Sequence, residues 1–268
     1  SGEISGEVLM DGEARADSPQ DSTAPLDIPE AAEIVGLELA EAIEPLPTLP
    51  PGKVFTTRYA AGAASAAADP PDGAGHYMGG FGFCAGNENA CRVSEGQHDS
   101  LWVVAVALAD PENGEAVVFV GIDSLGFIKH DMEAAQNKSS QLLAAQLGIH
   151  MDHHRIVIAS SHSHSGIDTV GLWGPMTSGV REEEAYIQQL IQTIAETVVG
   201  AMGNLEDAQL DWGVSQAPNH DEDLADDDET VWVMRGRNGA GETLFTLTRW
   251  TGHPTKYGGG SNAISADW

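Results

Sequence analysis

The stretch RIVIASSHSHSG, residues 155–166, places two histidines one residue apart directly after an apolar, β-branched run. The run predicts a buried strand, and the amphipathic pattern of residues 129–148 before it predicts a helix. Ligand sites of α/β sheets favour the carboxyl ends of strands, which is where His162 and His164 are predicted to lie. The stretch therefore indicates a sheet with a histidine site at its edge.

The segments on either side extend this pattern. Residues 101–110 and 115–126 are apolar runs joined by Pro-Glu-Asn-Gly, which predicts a hairpin. Residues 181–203 predict a long helix with an apolar stripe, and residues 230–236 and 243–252 predict two further strands. Together they indicate an α/β domain, or an α+β domain, with mixed β-sheets flanked by helices and a metal site at the C-terminal ends of strands.

The first 52 residues have a different composition. They contain twelve acidic residues, one base, Arg15, and a string of prolines, so this segment can bury little apolar surface. We expect residues 1–52 to be largely flexible with one short helix within residues 28–45, where Pro29 suits the first helical position. The folded domain is expected to span residues 53–268.

Charge and cysteine content limit the possible partners and the compartment. The formal net charge of −29 disfavours binding to nucleic acid or to an anionic membrane surface. No apolar run reaches the ~18 residues that a transmembrane segment needs. Cys84 and Cys91 are close enough in sequence for a short disulfide, with free thiols as the alternative, and a disulfide favours an oxidising compartment. We therefore expect a secreted protein, extracellular or periplasmic.

A second histidine motif lies far along the chain. His253, in WTGHPT, also follows an apolar strand, and Pro254 favours an extended backbone before it. Zinc prefers neutral imidazoles gathered from distant parts of a chain, so this motif and the first predict a shared site. His98 is a candidate third imidazole or substrate contact, and Asp123 could orient a ligand histidine from behind. For these two residues, an ordinary polar position at a loop end is the alternative.

The remaining polar motifs indicate less specific chemistry. Residues 150–154, His-Met-Asp-His-His, are expected to be solvated although they could trap a metal, and His130 and His220 are also expected to be solvated. Residues 220–229 are strongly acidic but lack the glycine and the spacing of an EF-hand, so a solvated loop is favoured over a calcium site. The sequence HSHSGID likewise lacks the Asp-His that would complete a metallo-β-lactamase motif.

In order, these motifs resemble the N-terminal catalytic domain of the neutral/alkaline, non-lysosomal ceramidase family. Its hallmark is H-T-H-S-G after a strand, then a long helix, a histidine near H-P or H-S-T, and I-S-x-D. The corresponding segments here are SHSHSG at 161–166, GHPT at 252–255 and ISADW at 264–268. Residues 61–82 resemble a degraded form of the family's opening segment, so the resemblance covers about residues 54–268.

This resemblance implies a zinc-dependent amidohydrolase that cleaves the amide bond of a ceramide-like N-acyl lipid or a small amide. By position, it makes His162 and His253 ligands of Zn²⁺ and places His164 in the active site, as a catalytic proton-handling or substrate-binding group. Zinc would act as a Lewis acid with an open coordination position. The family's serine-containing segment and its Glu and Tyr zinc ligands would lie beyond Trp268. We therefore expect a C-terminal remainder, either as a second chain or as an omitted segment.

One departure from the family pattern leaves the substrate open. Residues 167–174, IDTVGLWG, replace the glycine-rich continuation H-S-G-P-G-G of true ceramidases and are closer to bacterial relatives with a GLWG-type segment. A zinc hydrolase of a different amide or ester is thus one alternative. A non-catalytic member of the fold that binds a ligand or a partner is the other.

Overall fold

A computed structural model describes residues 47–84, 87–175, 183–218 and 228–267. The short helix predicted within residues 28–45 and most of the acidic stretch 220–229 lie outside these residues. Residues 45–268 form one compact unit. Within the described part of the chain, neither helix is long and apolar enough to cross a membrane.

The described residues form two long helices and ten strands. The helices are α1 (Lys129–Leu147) and α2 (Glu184–Gly203). The strands are β1 (Tyr59–Ala67), β2 (Ala74–Tyr77), β3 (Val93–Gln97), β4 (Trp102–Asp110), β5 (Glu115–Ile122), β6 (Ile156–Ser160), β7 (Glu206–Gln216), β8 (Thr230–Arg237), β9 (Thr243–Arg249) and β10 (Ala263–Ile264).

The strands form two mixed sheets. The larger has seven strands in the order β6-β5-β4-β1-β7-β8-β9, and the smaller has the order β10-β3-β2. In the larger sheet β5 and β6 are parallel and the other neighbours are antiparallel. Parallel neighbours need a crossover connection, and α1 supplies it between β5 and β6. The predicted α/β fold, with mixed sheets flanked by helices, is confirmed.

The main core lies between the larger sheet and the two helices. Alternate residues of β4, such as Val103 and Ala105, are buried in the same cluster as Ile187 of α2. Strand β1 is made almost entirely of alanine and glycine, which lets α2 approach closely. A β-carbon on Gly62 would lie only 2.3 Å from the carbonyl oxygen of Ala201, so no larger residue fits there.

Candidate metal centre

His162 lies two residues after the end of β6 and has an unusual backbone. Its φ of 67° is in the left-handed region, which is uncommon for residues other than glycine and concentrates at functional sites. Its N–H donates to the carbonyl of Ser124 at 3.0 Å, and its Nδ1 lies 2.7 Å from the carbonyl oxygen of Leu125. Because a carbonyl only accepts hydrogen bonds, Nδ1 carries the proton and Nε2 keeps a free lone pair.

Three imidazoles converge at this point: those of His162, His164 and His253. One ligand nitrogen from each lies within 4.8 Å of the others, and the ring centroids are 4.5–5.2 Å apart. The Nε2 atoms of His164 and His253 are only 2.9 Å apart. Two imidazole nitrogens this close need a proton or a cation between them, because their lone pairs otherwise repel.

The charge state of the cluster suits a metal. Burial and, to a smaller extent, the charges of His253, His162 and Arg92 together lower the pKa of His164 to about 4. His164 is 8% exposed, and its Nδ1 is buried without a hydrogen-bond partner among the described residues. The ring is therefore neutral near pH 7, in the form that can bind a metal or accept a proton. Neutral imidazole nitrogens are donors that zinc prefers, so these residues fit a zinc ion.

The loop between β2 and β3 forms one wall of the cluster. Gly80 has a φ of 101°, and a β-carbon there would lie 2.5 Å from Cγ of His164. The next residue, Phe81, meets the His164 ring edge-on with centroids 4.8 Å apart. Only glycine combines this backbone with this close an approach, so the position fixes where the imidazole of His164 can lie.

The ISAD segment is bonded directly to the histidine loop. The hydroxyl of Ser163 donates to the carbonyl of Ser265 at 3.0 Å, and that of Ser165 donates to the carboxylate of Asp267 at 3.2 Å. Burial raises the pKa of Asp267 although the backbone N–H of Tyr257 donates to its carboxylate. The two motifs that are about 100 residues apart in sequence therefore form one structure.

A cleft of about 410 Å³ opens beside the cluster. It is lined by His162, His253 and the residues next to them, which are Ser160, Ser161, Trp250, Thr251, Gly252 and Pro254. A larger cavity of about 580 Å³, lined in part by Thr48, His150 and Arg155, contains none of the three clustered histidines. The smaller cleft is the one that gives access to the candidate metal centre.

Asp168 organises the divergent IDTVGLWG segment. It is 2% exposed, and its carboxylate accepts four backbone N–H groups of the loop at 2.7–3.1 Å. The donors are Val170, Gly171, Trp173 and Gly174. Backbone donors stabilise a buried carboxylate, so this residue sets the shape of the loop.

The disulfide loop lies against the same segment. Cys84 and Cys91 form the short disulfide, and Cys84 Sγ lies 3.0 Å from the carbonyl oxygen of Trp173. Phe83 stacks on Trp173 with ring centroids 5.0 Å apart and is 67% exposed. An apolar stacked pair therefore lies at the surface of the loop that follows the histidine motif.

The two other predicted site residues lie outside the cluster. The ring of His98 contacts the carboxylate of Asp99 at 2.8 Å and the hydroxyl of Tyr257 at 3.2 Å, so it is not a third imidazole of the cluster. The carboxylate of Asp123 accepts the N–H of Trp102 at 2.9 Å, at the open end of the β4–β5 hairpin. The partner of His162 Nδ1 is the backbone carbonyl of Leu125, and the orientation of a ligand histidine by Asp123 stays a prediction. A substrate contact by His98 stays a prediction.

Of the five histidines that are expected to be solvated, four lie among the described residues. His130, His150 and His154 are exposed, as expected, and His153 is half-buried. His220 is not among the described residues.

Sequence reasoning missed three supports of the cluster. These are the carbonyl of Leu125, Gly80 and the guanidinium of Arg92, which donates to the carbonyl of His164 at 3.0 Å. A backbone carbonyl has no sequence signal. The Gly79–Gly80 pair was the one usable signal, because paired glycines mark a close approach or a positive φ.

Comparison with known proteins supports the fold. No protein-family model matches the sequence, and no curated protein is significantly similar to it. Similar solved structures include the neutral ceramidase from Pseudomonas aeruginosa and a ceramidase complexed with C2. Each has a TM-score of 0.62 and 18% identity, over 79% of this chain and 34% of the other chain. The chain thus spans about a third of the length of these structures and shares their fold.

Proposed function

We propose that this chain is the histidine-bearing part of a zinc-dependent hydrolase of the neutral ceramidase type. The reaction is cleavage of the amide bond of a ceramide-like N-acyl lipid. One observation carries the proposal: His162, His164 and His253 converge beside a cleft, in a fold similar to that of neutral ceramidase. The resemblance of the sequence motifs to that family supports the same reaction.

The three histidines have different roles in this proposal. His162 and His253 hold the zinc ion, and the Leu125 carbonyl fixes the His162 ring with Nε2 as the ligating atom. A bound zinc would supply Lewis-acid polarisation of the amide carbonyl. His164 is buried and neutral, so it can accept a proton at Nε2 and return it to the leaving amine.

The active site is completed by further polypeptide. A nucleophile and additional zinc ligands come from a C-terminal remainder, as a second chain or as a continuation of this one. The length of the solved ceramidases, of which this chain covers 34%, supports such a completion. In the same proposal the disulfide suits a secreted enzyme.

The proposal is tested by measuring zinc content and hydrolysis on the same protein. The natural full-length polypeptide is expected to contain one zinc per molecule and to release fatty acid from N-acylsphingosine. Chelation should stop the reaction, and added zinc should restore it. A His162→Asn, His253→Asn double variant should lose both zinc and activity, since it lacks both protein ligands named here.

Two other results would point to the alternatives. Zinc-free protein of full stability would contradict the hydrolase and favour a non-catalytic binding protein. Zinc-loaded protein that hydrolyses a different amide or an ester would keep the metal and change the substrate. The Asp168-centred loop is the observation that favours this second alternative, because it lies where the sequence departs from true ceramidases.

A further inference from the structure

Arg92 makes an unusual set of contacts around the histidine cluster. It directly precedes β3 and follows Cys91 of the disulfide. Its Nη1 donates to the carbonyls of Gly79 at 3.2 Å and of His164 at 3.0 Å. Its Nη2 donates to the carbonyl of Ser261 at 2.7 Å. One guanidinium therefore joins three segments that are distant in sequence.

Each of these segments leads to the cluster. Gly79 precedes Gly80, which packs against the His164 ring. Ser261 belongs to the loop that connects His253 to β10. The backbone of His164 is held from both sides, since its N–H also donates to the carbonyl of Pro254 at 3.4 Å.

The cost of burying this cation indicates that its placement is specific. Desolvation lowers the pKa of Arg92, and its Nε is buried without a partner among the described residues. The three carbonyls and the face of Phe81, 5.3 Å from Cζ, offset part of that cost. A planar fork carries donors on separate nitrogens and can reach carbonyls that lie apart, whereas an ammonium presents its three donors from a single nitrogen.

We propose that Arg92 is a positioning residue that sets the relative geometry of the His164 and His253 imidazoles. It acts through the backbone of the three segments and touches neither metal nor substrate. The effect on zinc affinity rests on the proposed metal centre, whereas the effect on the imidazoles does not.

The experiment compares Arg92→Met and Arg92→Lys with Arg58→Met. Arg58 is an exposed arginine whose guanidinium lies 5.2 Å from the Tyr59 ring, so its replacement removes a charge and an aromatic contact but none of the supports of the cluster described above. Zinc affinity is measured by competition with a chelator. Long-range ¹H–¹⁵N spectra of the zinc-free proteins report the tautomers and environment of the imidazoles, and circular dichroism reports the fold.

Arg92→Met is expected to bind zinc about 10–100-fold more weakly, the range typical of groups that orient metal ligands. Its spectra should show shifted His164 and His253 signals, whereas Arg58→Met should match the wild type in both measurements. Arg92→Lys keeps the charge and should fold, but it should bind zinc about tenfold more weakly because one ammonium cannot span the three carbonyls.

Two results would overturn the positioning role. One is wild-type zinc affinity in either folded Arg92 variant, and the other is unchanged imidazole spectra in both. A wild-type protein that binds no zinc would instead overturn the proposed function, and the imidazole spectra would still decide the role of Arg92.

Discussion

Two groups of side chains in the described residues are close enough to hold a metal ion, and they are built in opposite ways. His162, His164 and His253 come from segments up to 91 residues apart (253 − 162). Asp152, His153 and His154 are consecutive residues on a short 3-10 turn. The first group includes the buried His164 and borders the cleft of about 410 Å³, whereas the second group contains no buried residue.

The difference lies in what already holds the ligand atoms. Asp152 accepts the N–H of His154 at 2.9 Å, and this bond caps the turn and lowers the pKa of the carboxylate. In the first group the Leu125 carbonyl directs His162 Nε2 inwards and Gly80 fixes the His164 ring. Proximity is therefore not sufficient for a metal centre. Groups outside the cluster must orient the ligands and leave their lone pairs free.

The largest effect should come from removing a ligand of the assembled cluster. His162→Asn should lower zinc affinity by more than about 100-fold, because a ligand contributes more than the groups that orient it. Asparagine suits the left-handed backbone at this position and so preserves the fold. A matched Asp152→Asn, His154→Asn variant should keep wild-type zinc stoichiometry, measured by elemental analysis. Loss of zinc from this second variant alone would reverse the comparison.

A buried carboxylate outside the cluster should come next. Asp168→Ala leaves four backbone N–H groups without their acceptor and should lower the free energy of unfolding by about 3–5 kcal/mol. Asp110 is the control, since it accepts two backbone N–H groups in the exposed β4–β5 turn. Its replacement by alanine should lower the free energy of unfolding, measured with urea, by about 1 kcal/mol. Equal costs would show that the loop is not organised by Asp168.

Gly80 tests the close approach to His164. Gly80→Ala and Gly82→Ala both place a β-carbon on a left-handed backbone, but only the first would meet another group, the His164 ring and backbone. Gly80→Ala should therefore cost about 1–3 kcal/mol more in unfolding free energy than Gly82→Ala, and it should weaken zinc binding. Identical stability and zinc affinity in the two variants would show that the β2–β3 loop can shift away from His164 without cost.

The smallest effect concerns acid stability. Burial alone would raise the pKa of Asp99, but hydrogen bonds from His98, Ala266 and Ser265 outweigh it and lower the pKa. A lowered folded-state pKa stabilises the protein at pH values above the unfolded-state pKa of about 3.9. This stabilisation is lost as the pH falls through the folded-state pKa. Asp99→Asn should therefore flatten the loss of thermal stability below about pH 4. An unchanged slope would show that this carboxylate does not contribute.

The predicted elements are those with strong periodic patterns. The β4–β5 hairpin, α1, β6, α2 and the β8–β9 hairpin all lie where the sequence predicts them. Strand β1 has the sequence YAAGAASAA and was not predicted, because alanine and glycine disfavour strands on their own. Its place in the sheet depends on the close packing of α2, which no local pattern shows. Strand β7, EDAQLDWGVSQ, was not predicted either, because it is largely exposed and polar and so lacks the apolar pattern of a buried strand.

Only the parts of the site that consist of chemically distinctive side chains could be predicted from the sequence. Histidines after strand ends indicate where ligands gather, and His162 and His253 do lie together, although their roles are still predictions. Their supports act through backbone atoms: the Leu125 carbonyl, and the three carbonyls that Arg92 binds. Every residue has a carbonyl, so the tertiary structure alone decides which of them matter.

The wide sequence separation of the cluster has a consequence for how the protein acquires metal. Arg92, His162 and His253 span 161 residues (253 − 92), and joining them requires the closure of long loops in the disordered chain. In a zinc finger, by contrast, nearby ligands let the metal drive folding. In the proposed metal centre we instead expect folding to come first and zinc to bind the finished cluster, so that zinc stabilises the protein by mass action. Protein produced without zinc should therefore fold unaided and be loaded afterwards.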